Sequence, residues 1–238
     1  MALLITVVFI LVWYLPLFLK HRKTEREHVG YYLRAFFFGC IAFILALIAQ
    51  TQIDNLIDTA QLNGVRTEIA EILYALIGIV LVEEVLKFFA GYTVLRNKTE
   101  LSEAGAMLIM GAAGAGFELL ESALNIDAIA SVFRGVLSFH IFWQLFMGKY
   151  WYKAQKAKLS GDSVMYKKNL RLAFAAPVIT HFLFDYPIFK LQEIYAQDET
   201  AVSEALQIVL LCIPLIVGIV CVIYAMRMAY GTLKEKQV

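Results

Sequence analysis

Charge is scarce in this sequence. Asp, Glu, Lys and Arg make up 17% of its 238 residues, against about a quarter in a soluble domain. Hydrophobic residues make up 61%, and the mean hydropathy is +0.69. These values exclude an ordinary soluble domain and point to an integral membrane protein. The net charge of +1 implies no nucleic-acid partner. Cysteine is equally sparse: Cys40, Cys212 and Cys221 stand singly in apolar runs with no CxxC spacing, which argues against a zinc knuckle or a disulfide framework. No HExxH is present, so the commonest zinc-protease motif is excluded, although ligands gathered from separate helices are not. A Ser-His-Asp set, an internal repeat, a low-complexity tract and a soluble domain are likewise missing. The chemistry therefore belongs within or beside the membrane.

Long apolar runs are abundant. A bilayer span needs about 20 predominantly apolar residues, and seven runs qualify: 2–19, 33–50, 70–95, 104–125, 132–150, 172–190 and 203–229. They are continuous rather than alternating, so the expected fold is all-α, a polytopic bundle of about seven transmembrane helices. The whole of 1–238 reads as one membrane domain, with a core over 70–190 flanked by helices in 1–50 and 203–230. The first run has no basic n-region and no small-residue cleavage site, so it reads as a retained helix. Seventeen of the 21 Lys and Arg fall in the segments after the first, third, fifth and seventh runs or at the run ends that adjoin them. By the positive-inside rule this predicts a multi-pass cell-membrane protein with its N-terminus outside and its C-terminus cytoplasmic.

A few ionisable residues interrupt the runs. The third carries "LVEEVLKFF" with Glu83, Glu84 and Lys87; the fourth Glu118 and Glu121; the fifth His140; the sixth His181 and Asp185. Each costs about 2.5 to 3.5 kcal/mol at a helix centre, on the order of 15 kcal/mol or more in sum if unpaired. They must meet one another, a metal or water. The i,i+3 and i,i+4 spacings put each set on one helix face. The apolar cores of the first, second and seventh runs hold no such residue, and these helices read as lipid-facing scaffold. Gly111 and Gly114 lie on the stripe leading to Glu118 and Glu121, where small residues let a neighbouring helix or an extended peptide come close.

Two histidines and several carboxylates in one layer make the chemistry of an activated water, which peptide hydrolysis inside a membrane requires together with a base and an electrophile. In order and helical setting, "EEVLK", "FELLE", the isolated His140 and "HFLFD" resemble the PrsW family of intramembrane proteases, relatives of the CAAX prenyl proteases. The resemblance covers about residues 70–190. It implies a polytopic protease acting on a membrane-anchored protein such as an anti-sigma factor, within the lipid bilayer. The implied site comprises Glu83, Glu84, Glu121, His140, His181 and Asp185, with Glu118 as an additional member. The prenyl proteases carry Arg in place of Lys87 and His in place of Glu121, which sets this chain apart from them.

On this reading Glu121, His140 and His181 hold a divalent metal, expected to be zinc, and Glu83 or Glu84 is the base. Asp185 orients His181, and Lys87 keeps a neighbouring glutamate ionised. A metal-free, glutamate-activated water, a prenyl-protease-like enzyme, an ion-coupled transporter and a non-catalytic scaffold are the alternatives.

Overall fold

The computed structural model describes residues 2–25, 27–62, 68–96, 98, 101–124, 139–197 and 203–234. Among them seven helices follow one another: α1 Ala2–Thr24, α2 Val29–Leu62, then α3 in three consecutive stretches (Glu68–Leu73, Tyr74–Leu81 and Val82–Leu95). After these come α4 Glu103–Leu124, α5 Phe139–Leu159, α6 Ser163–Gln197 and α7 Glu204–Lys234. No strand occurs among the described residues. The protein is an all-α membrane bundle, and α1, α2, α4, α6 and α7 are long and apolar enough to cross a bilayer.

α4 forms the centre. In its apolar window 78% of residues are buried, against 11% for α1 and 22% for α7, and it packs against α1, α2, α3, α5 and α7. Its run "AGAMLIMGAAGAG" explains the position, because small side chains let backbones approach. A Cβ on Gly116 would lie 2.8 Å from the Phe36 carbonyl carbon of α2, and one on Gly114 would lie 2.8 Å from the His140 carbonyl carbon of α5. α1 and α7 instead turn Leu4, Leu11, Ile208, Ile216 and Val220 outward, the lipid-facing surface of a membrane bundle.

Two features depart from the sequence expectation. The basic segment after the fifth run is helix: α5 continues to Leu159 and α6 starts at Ser163. Between them Gly161 supplies a φ of 78°, and Asp162 accepts the Met165 N–H at 2.9 Å as the N-cap of α6. At 1.5 Å per residue, the 35 residues of α6 extend about 50 Å, more than the roughly 30 Å hydrocarbon core. The helix is thus longer than a span at right angles to the bilayer needs. The expected start of the fifth run, 132–138, lies outside the described residues. Second, Tyr74–Leu81 is π-helical; such widened turns are rare and recur at functional sites. This one runs directly into Glu83 and Glu84.

Polar contacts tie the basic segments together at one end. His21 and Tyr32 bind the Glu27 carboxylate, Lys98 donates to the Tyr31 hydroxyl at 2.9 Å, and Lys149 pairs with Glu103 at 3.1 Å. At the other end Lys190 pairs with Glu71 at 3.0 Å, and Tyr74 binds Asp54.

Candidate active site

Four helices each deliver part of one buried cluster. Lys87 sits one helical turn beyond Glu83 and Glu84 on α3, so its ammonium folds back onto both: 2.6 Å from Glu84 Oε1 and 3.6 Å from Glu83 Oε2. The ring of Phe117 lies 4.6 Å from it and that of Trp143 5.6 Å, which adds cation–π attraction for a fully buried charge. α5 brings His140 at its described start, where Gly114 of α4 makes room for the His140 backbone. The His140 N–H donates to Glu118 Oε2 at 3.3 Å. α6 brings His181 and, one turn on, Asp185.

All eight ionisable residues singled out from sequence are buried, with exposures of 0 to 7%, and they form one network. Lys87 donates to His140 Nδ1 at 2.6 Å. An ammonium only donates, so Nδ1 is the acceptor nitrogen; the ring proton is then on Nε2 and goes to Glu121 Oε2, 2.6 Å away. His181 faces carboxylates on both sides, Glu84 Oε1 at 2.9 Å from Nδ1 and Asp185 Oδ2 at 3.0 Å from Nε2. Trp143 stacks on its ring at 4.1 Å between centroids. Each imidazole is thus fixed from two directions, the arrangement that orients catalytic or metal-binding histidines.

Glu83 is held differently. Its Oε1 accepts the Gln50 amide at 3.0 Å. Its Oε2 is buried without a hydrogen-bond partner, 3.8 Å from His181 Nε2. Donor atoms of Glu83, His140 and His181 lie within 4.8 Å of one another. Two imidazoles and one carboxylate, whose Oε2 is the uncommitted buried oxygen, fit the requirements of a divalent metal with N and O ligands. Glu121 approaches His140 closely, whereas the converging trio contains Glu83. Glu118, His140, His181 and Asp185 also line a small cavity together with Phe139, Trp143 and Phe184, with room for about one water.

A model of the PrsW family of intramembrane metalloproteases matches residues 27–219. The chain belongs to this family. The PrsW match takes in every residue of the cluster and all of α2 through α6. No curated protein and no solved structure matches the chain. As a PrsW protein it is a membrane hydrolase that cuts membrane-embedded proteins in the lipid bilayer, and the family implies a divalent metal.

Sequence reasoning missed the glutamines. Gln50 comes from α2, which reads as plain scaffold, and Gln144 of α5 donates to Glu84 Oε2 at 3.1 Å. A census of ionisable residues passes over neutral amides. The one available signal was Gln144 standing one helical turn after His140 in an aromatic run.

Proposed function

We propose that this PrsW protein is a zinc endopeptidase that hydrolyses a peptide bond of a membrane-anchored protein, such as an anti-sigma factor, at the level of the buried cluster. The convergence of Glu83, His140 and His181 within 4.8 Å, beside a cavity with room for about one water, carries the reading. Glu83, His140 and His181 would hold the metal, each imidazole giving up one hydrogen bond to it and keeping the other for orientation. When bound, the metal polarises the scissile carbonyl and makes a water acidic enough to react at neutral pH.

The other groups act around this trio. Glu118, on the cavity wall, takes the proton of the attacking water and returns it to the leaving amine. Glu121 holds the His140 ring through Nε2, and Glu84 holds His181 through Nδ1, which leaves His181 Nε2, beside Asp185, as the nitrogen that would meet the metal. Lys87 offsets part of the negative charge of Glu83 and Glu84 in a site where burial opposes ionisation. Phe139, Trp143 and Phe184 supply the apolar part of the cavity wall. A second reading is favoured by the 2.6 Å contact between Glu121 and His140: Glu121 is then the third ligand, and Glu83, with its uncommitted oxygen, is the base.

The basic end of the bundle faces the cytoplasm in this proposal, with the N-terminus outside and the C-terminus inside. A fluorogenic single-pass reporter in proteoliposomes tests the function. Cleavage is expected, with loss on chelation and recovery on adding zinc. Cleavage that persists unchanged after exhaustive chelation contradicts the metal mechanism, and no cleavage of any membrane-anchored reporter contradicts the protease.

A further inference from the structure

Glu83 and Glu84 are neighbours in sequence with the same chemistry, yet their surroundings differ oxygen by oxygen. Glu84 is fully buried. Its Oε1 accepts from Lys87 at 2.6 Å and from His181 Nδ1 at 2.9 Å, and its Oε2 accepts from Gln144 at 3.1 Å. Both oxygens are committed, and all three donors are themselves buried. Glu83 has a single amide hydrogen bond, from Gln50 to Oε1. Its Oε2 stands 3.6 Å from the Lys87 ammonium and 3.8 Å from His181 Nε2, beyond hydrogen-bond distance of either. A carboxylate that is to bind a metal or accept a proton needs an oxygen free to do so, whereas one tied by several charge-assisted bonds serves as a fixed strut.

We propose that the half-buried Gln50 and the buried Gln144 are positioning residues that divide this pair, Gln144 completing Glu84 as the strut that fixes His181 and Lys87, and Gln50 aiming the free oxygen of Glu83 at the reacting groups. The inference rests on the proposed protease site and holds whether Glu83 ligates the metal or acts as base.

The amide orientations support it. Glu84 is an acceptor on both sides, so Gln144 must present its NH2 group. Its Oε1 is left buried without a hydrogen-bond partner, a costly arrangement that the neighbouring carboxylate dictates. Gln50 meets Glu83 the same way, from a helix that otherwise contributes apolar residues to this layer. The arrangement also predicts an asymmetry between amide substitutions. In Glu84→Gln the new NH2 finds an acceptor if the Gln144 amide rotates by half a turn, while the new carbonyl still receives Lys87 and His181. In Glu83→Gln rotation of Gln50 likewise preserves the shape, but the anionic oxygen is gone.

The test compares Glu83→Gln, Glu84→Gln, Gln50→Leu, Gln50→His, Gln144→Leu and Glu84→Gln/Gln144→Leu for cleavage of the reporter and for thermal stability in nanodiscs. Glu83→Gln is expected to lose about 10³-fold or more in rate, and Glu84→Gln to stay within about tenfold of wild type. The double variant, which removes the rotating partner, should fall well below either single change. Gln50→Leu should lower kcat about tenfold at nearly unchanged KM, and Gln50→His, which keeps an N–H donor of similar reach, should recover most of it. Equal inactivation by Glu83→Gln and Glu84→Gln, or an unchanged kcat in Gln50→Leu, overturns the division. Full activity in Glu83→Gln overturns the site reading as well. Stability reads the same division without cleavage: Glu84→Leu, stranding three donors, should lower Tm more than Glu83→Leu, and equal losses overturn the inference.

Discussion

Gly114→Ala adds one methyl group at the point where α4 meets the backbone of His140. The new Cβ would lie 2.8 Å from the His140 carbonyl carbon, closer still to the carbonyl oxygen, and 3.1 Å from Gln144 Cγ. An ordinary carbon contact is about 3.5 to 4 Å, so the two helices must separate by roughly 1 Å, and the obstruction is backbone that cannot rotate away. Overpacking of this kind costs about 1–3 kcal/mol of stability. The functional cost is larger, because the shift moves His140 relative to Lys87 and Glu121, each 2.6 Å away. A misplacement of about 1 Å can reduce a rate about 10²-fold. Gly148→Ala is the matched control. It lies on the same helix pair, where a Cβ would be 2.8 Å from Met107 Cα, but eight residues from His140 and so about 12 Å along the helix. Reporter cleavage per folded molecule, with folded protein counted by size-exclusion chromatography, should fall about 10²-fold in Gly114→Ala and far less in Gly148→Ala, with similar losses of Tm. Equal rates per folded molecule in the two variants would refute the idea that this glycine positions the histidine.

Three other outcomes follow from the geometry. Glu27 lies between α1 and α2; burial raises its pKa, but hydrogen bonds from His21 and Tyr32 and the charges of His21 and Arg22 outweigh this and hold it below the ordinary glutamate value. Its contribution is complete above that value and is lost as pH falls through the lower folded pKa. Acid titration monitored by Tm should therefore show a decline in wild type that Glu27→Gln, less stable at neutral pH, shows to a smaller extent. Gly231 lies within α7 with open space around its Cα, so Gly231→Ala should raise stability by about 0.5 to 1 kcal/mol without changing cleavage. A reporter active only outside the cytoplasm should give signal when fused after Gln197 and none when inserted at Gly161; the reverse pattern would invert the orientation.

The fold was legible where composition alone decides it. The seven apolar runs fall on the seven helices among the described residues, five of them long and apolar enough to span a membrane, because in lipid continuous apolar segments have no alternative that satisfies their backbone. The meeting of Glu83, Glu84, Lys87, Glu118, Glu121, His140, His181 and Asp185 was legible for the same kind of reason, since charges at that depth cannot remain unpaired. The ends of α5 and α6 were not, because Lys-rich segments continue a helix as readily as they leave it and only Gly161 marks the turn. The π-helical stretch before Glu83 has no sequence signature, being ordinary apolar residues. Glu83 and Glu84 were indistinguishable in sequence because their difference lies in partners supplied by α2 and α5, 33 and 60 residues away.

The most direct test of the central claim is metal stoichiometry measured beside cleavage in purified wild type, Glu83→Gln, Glu121→Gln, His140→Ala and His181→Ala. With Glu83, His140 and His181 as the ligand set, wild type carries one zinc per chain. Glu83→Gln, His140→Ala and His181→Ala then lose both metal and cleavage, while Glu121→Gln keeps the metal with reduced activity. Metal lost from Glu121→Gln but kept in Glu83→Gln would exchange the roles of the two glutamates. Cleavage by wild type with no metal bound, or metal and cleavage retained in both histidine variants, would contradict the account.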